Sequence, residues 1–320
     1  MILVAGGIAD KVTEVVCARL NECGYAYRLF DLGRFPSGHG VAVRWTDVGP
    51  EGSLRGPDWK LDLGDISGAY VRFLGPEGRV PPADLPPATA TTLRAEADTA
   101  LMALFDDLPC PVVNRLGGGM SNNSKPYQAW LLERAGFRVP PTLVTNDPEA
   151  ARAFQAEHGE VIYKSVSGIR SIVRRLGPEQ VGRLGLLRNG PAQFQAFVPG
   201  RDVRVHTVGD KLFATRVASA AVDYRYARRD GVAVEMAPCE LPASVASACL
   251  HIARELDLLH AGIDLRETPA GDWYCFEVNP CPGFLYYERH TGQPISRALV
   301  DLLHGGVAVA TEPMREAANI

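Results

Sequence analysis

Asp264, Glu277 and Asn279 are the residues in this chain best suited to chemistry. Gly262-Ile263-Asp264-Leu265-Arg266 and Trp273-Tyr274-Cys275-Phe276-Glu277-Val278-Asn279-Pro280 are two apolar runs joined by a Thr-Pro-Ala-Gly-Asp turn, which predicts a β-hairpin. Glu277 and Asn279 are two apart on a strand and so share a face. Two carboxylates and an amide carbonyl, with no His or Cys pair beside them, suit a hard cation: one or two Mg²⁺, with Mn²⁺ as a substitute, held together with substrate phosphates. The bland alternative is a wet hairpin face. Glu277 argues against it, because it interrupts a run apolar enough to be buried, where a carboxylate needs a partner or a metal.

Phosphate chemistry also uses lysines, and two are suitably placed. Lys125 opens a helix after Ser121-Asn122-Asn123-Ser124. Lys164 ends the strand run Val161-Ile162-Tyr163 and precedes a small-residue loop containing Ser167 and Gly168. Such a loop can turn backbone N–H groups toward phosphate oxygens, although taken alone the better reading is a plain hairpin turn. No Walker sequence is present. Gln193 to Val198 alternates up to a Pro-Gly turn, after which Asp202 and Arg204 share one strand face. The strand-to-linker backbone could pair with an adenine edge, and Asp202 with a neighbour or a ribose. Arg204 and Arg216 lie on two arms of one predicted hairpin, and either could offset charge on a transferring phosphoryl group.

The elements that must carry these residues begin with an α/β pattern. Strands are predicted at Ile2–Ala5, Tyr27–Phe30 and Gly68–Leu74, with an amphipathic helix over Lys11–Cys23. Pro76–Pro87 reads as a loop. Helices follow over Thr89–Phe105, with Leu93, Ala97, Leu101, Leu104 and Phe105 inward, and over Lys125–Ala135. Short extended runs are expected at Pro109–Asn114 and Val139–Val144. Further strands are expected at Val161–Lys164, Gln193–Val198, Val203–Val208 and Lys211–Val217, and helices at Leu241–Leu258 and Ile295–Leu303. This gives an α/β protein of several lobes: 1–113, 114–192, and 193–320 with the metal site.

Composition narrows the function. The chain has 320 residues, 46% of them hydrophobic and 22% charged, with a net charge of −4. It is long enough for two or three cores, and the acidic balance gives no reason to expect a nucleic-acid partner. No run is long enough for a membrane helix, and the N-terminus lacks signal-peptide features. Seven cysteines without a Cys-Xaa-Xaa-Cys pair predict reduced thiols and a cytoplasmic location. Cys281 reads as structural.

Taken in order, these pieces resemble the ATP-grasp superfamily, RimK-like ligases within it, and among those the maturases of microviridin-type graspetides. The likeness runs through Asn122 to Gln128, Gly136 to Asp147, Val161 to Lys164, Arg204 to Ala214, Asp223-Tyr224-Arg225, Glu277 to Pro280 and Thr291 to Ile295. It implies an N-terminal pre-ATP-grasp domain followed by central and C-terminal lobes that grip ATP. It also implies ADP-forming ligation through an acyl phosphate, which turns a carboxylate, a poor electrophile, into one with a leaving group. Lys125, Lys164, Ser167 and Gly168 would hold phosphates. Gln195, Ala196, Phe197, Val198 and Asp202 would form the nucleotide hinge, with Ala196 and Val198 offering backbone groups to adenine. Asp264, Glu277 and Asn279 would ligate Mg²⁺, and Arg204 and Arg216 would face the γ-phosphate.

Three functions are consistent with this likeness: a peptide maturase making esters or amides, a small-molecule carboxylate–amine ligase, and a nucleotide-binding regulator without catalysis. The sequence departs from the pattern at Ala196, where many relatives carry Glu, at Tyr70-Val71-Arg72-Phe73, and at Pro282-Gly283-Phe284. Arg72, charged within an apolar run, is expected to hold the acid substrate between the first lobe and the Val203–Val217 hairpin. The alternative is pairing to a local carboxylate such as Glu77. A homodimer is the default assembly.

Overall fold

The computed structural model describes residues 1–73, 85–166, 173–219, 224 and 231–305. Ser167, Gly168, Leu74, Glu77, Asp223 and Arg225 lie outside them. The chain forms two units, Met1–Val113 with Leu299–Ile320, and Asn114–Ala298.

In the first unit, β1 (Ile2–Gly6), β2 (Tyr27–Asp31), β6 (Gly68–Val71) and β7 (Val112–Val113) form a parallel sheet in the order β2-β1-β6-β7. Helix α1 (Lys11–Glu22) starts where Asp10 accepts from the Thr13 N–H, a side-chain N-cap. An antiparallel meander, β3 (Gly40–Thr46), β4 (Gly49–Arg55) and β5 (Lys60–Asp62), is absent from the sequence reading. Its middle strand, Gly-Pro-Glu-Gly-Ser-Leu-Arg, has turn-like composition and is extended because it pairs on both edges. Helix α2 (Pro87–Asp107) buries Leu101, Leu104 and Phe105 as expected, while Leu93 is exposed. Phe30, Leu54 and Phe105 share this core, each contributing about 1.5–3 kcal/mol by burial.

The second unit holds two antiparallel sheets. One has the order β10-β9-β11-β8, from β8 (Thr142–Thr145), β9 (Val161–Lys164), β10 (Arg174–Arg175) and β11 (Ala192–Ala196). The other has the order β14-β13-β12-β15-β16, from β12 (Arg201–Val208), β13 (Lys211–Ser219), β14 (Val234–Pro238), β15 (His260–Glu267) and β16 (Trp273–Asn279). Its helices are α3 (Lys125–Arg134), α4 (Pro148–His158), α5 (Pro178–Gly182), α6 (Ala243–Glu255) and α7 (Leu285–Thr291). Helix α8 (Ile295–Gly305) begins here, and its residues from Leu299 belong to the first unit. The sequence reading also passed over α4, although Asp147 caps it by accepting from Glu149 N and Pro148 occupies its first turn.

One face of the five-stranded sheet is apolar. Val203, Val205, Ile263, Leu265, Cys275 and Val278 pack there with Leu132 of α3 and Cys249 and Ile252 of α6. The opposite face carries the polar residues. Period-2 alternation therefore separates the core from the site along the same strands.

Candidate active site

The predicted hairpin forms, and its register aligns the acidic residues. Arg204 of β12 stands opposite Asp264 of β15, which stands opposite Glu277 of β16; Gly262 stands opposite Asn279. Two carboxylates directly across from each other repel. Arg204 relieves this by donating to Asp264 Oδ1 at 2.7 Å. Burial opposes the Arg204 charge, but its surroundings, the Asp264 carboxylate foremost, outweigh it and hold the guanidinium above its ordinary pKa. The half-buried Glu277 carboxylate makes no hydrogen bond or ion pair with a described residue. Asn279 Oδ1 accepts from Cys281 N at 2.9 Å and keeps a second lone pair. Among the described residues no three His, Cys, Asp or Glu side chains gather as a metal site. The donor set of two carboxylates and an amide oxygen fits a hard divalent cation that takes its other ligands from phosphate and water.

Gly262 makes the row possible. A Cβ there would lie 2.0 Å from Arg204 Nη2 and 2.6 Å from Pro282 Cβ, so only glycine lets the guanidinium lie across β15. Tyr287 flanks the same cation, 5.7 Å from its ring centroid, and its hydroxyl meets the Tyr224 hydroxyl at 2.8 Å. Burial first, then Asp264 and Tyr287, push the Tyr224 phenol well above 10, so it is neutral.

Beside this row an open cleft is lined by Ile162, Lys164, Gln195, Phe197, Asp202, Tyr224, Asp264, Arg266, Phe276 and Glu277. Apolar and aromatic side chains share it with Lys164, Arg266 and three carboxylates, Asp202, Asp264 and Glu277. Lys164 is buried and its Nζ reaches Gln195 Oε1 at 3.4 Å. Lys125, also buried, donates to the carbonyl of Ser165, the residue after Lys164, at 3.4 Å.

Other expectations change. Arg216 stands opposite Val203, while Arg204 stands opposite Thr215. Arg216 is therefore exposed on the face opposite the acidic row and does not join Arg204. Asp202 pairs with a neighbour, accepting from Arg266 Nε at 2.8 Å and Nη2 at 2.6 Å. Arg266 also donates to the Val198 carbonyl at 2.8 Å, and Ala196 N–H goes to Pro141 O at 2.9 Å, so these two backbone groups of the hinge are already engaged. Nothing in the spacing of the hairpin sequence marks Arg266 for this role. Its guanidinium, 5.1 Å from the Phe276 ring centroid, ties the hinge to β15. Gly200 permits the approach, since a Cβ would lie 2.2 Å from Glu267 O. Within the first unit, Arg72 donates to Asp10 Oδ2 at 3.0 Å, while Glu77, the other expected partner, lies outside the described residues.

The chain is similar to known proteins. The RimK-like ATP-grasp domain matches residues 123–303. The tetrahydromethanopterin:alpha-L-glutamate ligase of Methanosarcina acetivorans is 29% identical over 164 residues, 45% of this chain and 50% of that protein. The chain spans half or less of the curated relatives it matches. Among solved structures, a RiPP-associated ATP-grasp ligase of Chryseobacterium gregarium, in complex with ADP and a leader and core peptide, superposes with a TM-score of 0.82 at 22% identity. That match covers 95% of this chain and 96% of the other. The ATP-grasp ligase PsnB, complexed with a phosphomimetic variant of a minimal precursor, Mg and ADP, has a TM-score of 0.80 at 26% identity, covering 95% and 97%. The fold is thus the ATP-grasp fold, and with more than half of its length inside the matched domain the chain belongs to the RimK-like ATP-grasp family.

Proposed function

We propose that the protein is an ATP-dependent carboxylate ligase that modifies a peptide through an acyl phosphate. The observation that carries this reading is the cleft, in which Ile162, Phe197 and Phe276 offer an apolar slot beside Lys164, Asp264 and Glu277. A purine and a polyphosphate need that combination. Residues 114–192 and 193–320 act as the two gripping lobes. Lys125 and Lys164 hold the phosphates, and Arg204 neutralises charge as the phosphoryl group transfers. A divalent cation held by Asp264, Glu277 and Asn279 supplies charge neutralisation on the phosphate oxygens.

In the first step a substrate carboxylate oxygen attacks the γ-phosphorus, the bond to the ADP oxygen breaks, and ADP leaves. In the second a hydroxyl or amine attacks the acyl carbon, the C–O bond to phosphate breaks, and phosphate leaves as the nucleophile gives its proton to solvent. Arg72 contributes to holding the acid. It follows β6, beside β1 where the strand order reverses, and such switch points in open α/β sheets bind ligands. The neighbours solved with precursor or leader peptides and ADP support a peptide substrate. The glutamate ligase relative supports a second reading, a small-molecule carboxylate–amine ligase. We further read the protein as a cytoplasmic homodimer. Among the described residues no helix is long and apolar enough to cross a membrane.

Chromatography of the nucleotide products, with a candidate precursor peptide present, tests the chemistry. ADP and phosphate in step with a loss of one water from the peptide is the expected result; stoichiometric AMP removes the acyl-phosphate route.

A further inference from the structure

Strand β16 is the outer edge of the five-stranded sheet; near its start the outward backbone meets an isolated bridge at Arg138, whose carbonyl accepts from Cys275 N–H at 2.9 Å. At Val278 it meets Gln128 of α3 instead. Gln128 is 2% exposed. Its Nε2 donates to the Val278 carbonyl at 2.8 Å, and its Oε1 accepts from the Val278 N–H at 3.0 Å. One side-chain amide thereby replaces a strand partner for one residue. The two groups it holds belong to the peptide units joining Glu277 to Val278 and Val278 to Asn279. The clamp thus fixes the backbone on which both oxygen donors turn.

Two further features make this position matter. The register of β15 and β16 shifts between Asp264 and Leu265, so β16 bulges immediately before Glu277. A bulge loosens the ladder and bends the strand, and the Gln128 contact restores a fixed geometry just beyond it. Gln128 also lies one turn after Lys125, on the same side of α3. That short rigid helix holds Lys125 against the Ser165 loop at one point and the Glu277–Asn279 strand at the next.

We infer that Gln128 is a positioning residue that sets Glu277 and Asn279 relative to Lys125, and through them the affinity for the divalent cation. This rests on the proposed reading of those two residues as cation donors.

The test uses the full chain and a readout other than turnover. The half-saturating Mg²⁺ concentration is measured from the ADP-dependent rise in Tm. Gln128→Leu removes both hydrogen bonds to Val278, together with the longer one to Ser121 Oγ at 3.4 Å. Gln128→Glu keeps the acceptor and loses the donor, and Gln128→Asn keeps the amide on a shorter stem, so a fold-compatible variant remains if leucine fails. Ile252→Val, a core change in the same unit, controls for lost stability alone. We expect the Gln128 variants to need about tenfold more Mg²⁺ or higher, as when groups that orient metal ligands are lost, with Ile252→Val unchanged. Wild-type Mg²⁺ dependence in the Gln128 variants, alongside a raised requirement in Glu277→Gln, overturns this inference and leaves the metal reading intact. Wild-type dependence in Glu277→Gln and Asn279→Ala as well overturns both.

Discussion

Arg204 and Asp264 form an ion pair at 2.7 Å on adjacent strands, with the arginine side chain almost wholly buried and the aspartate side chain a quarter exposed. The asymmetry assigns different tasks to the two partners. Asp264 can turn an oxygen toward the cleft, whereas Arg204 depends on Asp264 for its charge balance. The pair also lets Asp264 and Glu277 stand opposite each other.

Removing the carboxylate should therefore harm the fold as well as the site. Asp264→Asn leaves a buried guanidinium without its counter-charge, a loss of about 3–5 kcal/mol for pairs of this kind. Arg204→Lys keeps the charge and loses the planar fork, and should cost less stability but about 10²-fold in kcat. Thermal unfolding and steady-state kinetics on both variants separate the two effects. If Arg204→Lys turned over normally, a role for the guanidinium in transfer would be ruled out.

Gly262→Ala should reproduce the Arg204 defect without touching Arg204. The added methyl takes the space of Nη2 and meets the Pro282 ring, so the guanidinium must leave its place. We expect about 1–3 kcal/mol of destabilisation from overpacking and a kcat loss close to that of Arg204→Lys. In an Arg204→Ala background the kcat effect should vanish, because the cycle then lacks the displaced group. Additive losses in that cycle would refute this account.

Thr142 should govern Lys164 at one remove. Its hydroxyl donates to Pro140 O at 2.8 Å and so can only accept from Gln195 Nε2, at 3.0 Å, which turns Gln195 Oε1 toward Lys164 Nζ. Thr142→Val removes that orientation. About 1 kcal/mol is at stake, which predicts a roughly fivefold higher KM for ATP with kcat nearly unchanged. An unaltered ATP affinity by thermal shift would separate Gln195 from the lysine.

His206 predicts an acid limit to stability. It is wholly buried, and burial first, then Arg204 and His260, hold its pKa well below 6.5; the Tyr287 ring packs on it at 4.8 Å. The unfolded chain protonates this side chain as pH falls below about 6.5 while the native chain does not, so stability drops as pH falls through that window toward the depressed native value. His206→Gln should flatten that part of the curve in denaturant titrations from pH 7.5 to 5. An equally steep fall in the variant assigns the acid sensitivity to other groups.

What the sequence determined by itself was local. Alternation and turn chemistry were enough for the hairpin of Asp264, Glu277 and Asn279, because period 2 sends residues two apart to one face. Motif order was enough for the ATP-grasp fold. Long amphipathic segments such as Lys11–Glu22 announced themselves through spacing. The meander from Gly40 to Asp62 did not, because β4 is extended only by pairing on both edges.

Tertiary structure alone decided register and partnership. Whether Arg204 or Arg216 meets Asp264 depends on which residue stands opposite which, and a shift of one residue sends a side chain to the other face of the sheet. Which cation neutralises Asp202 was likewise open until Arg266 lay beside it. The clamp of Gln128 on Val278 spans 150 residues, and spacing along a chain does not reveal which buried amide will complete the edge of a distant strand.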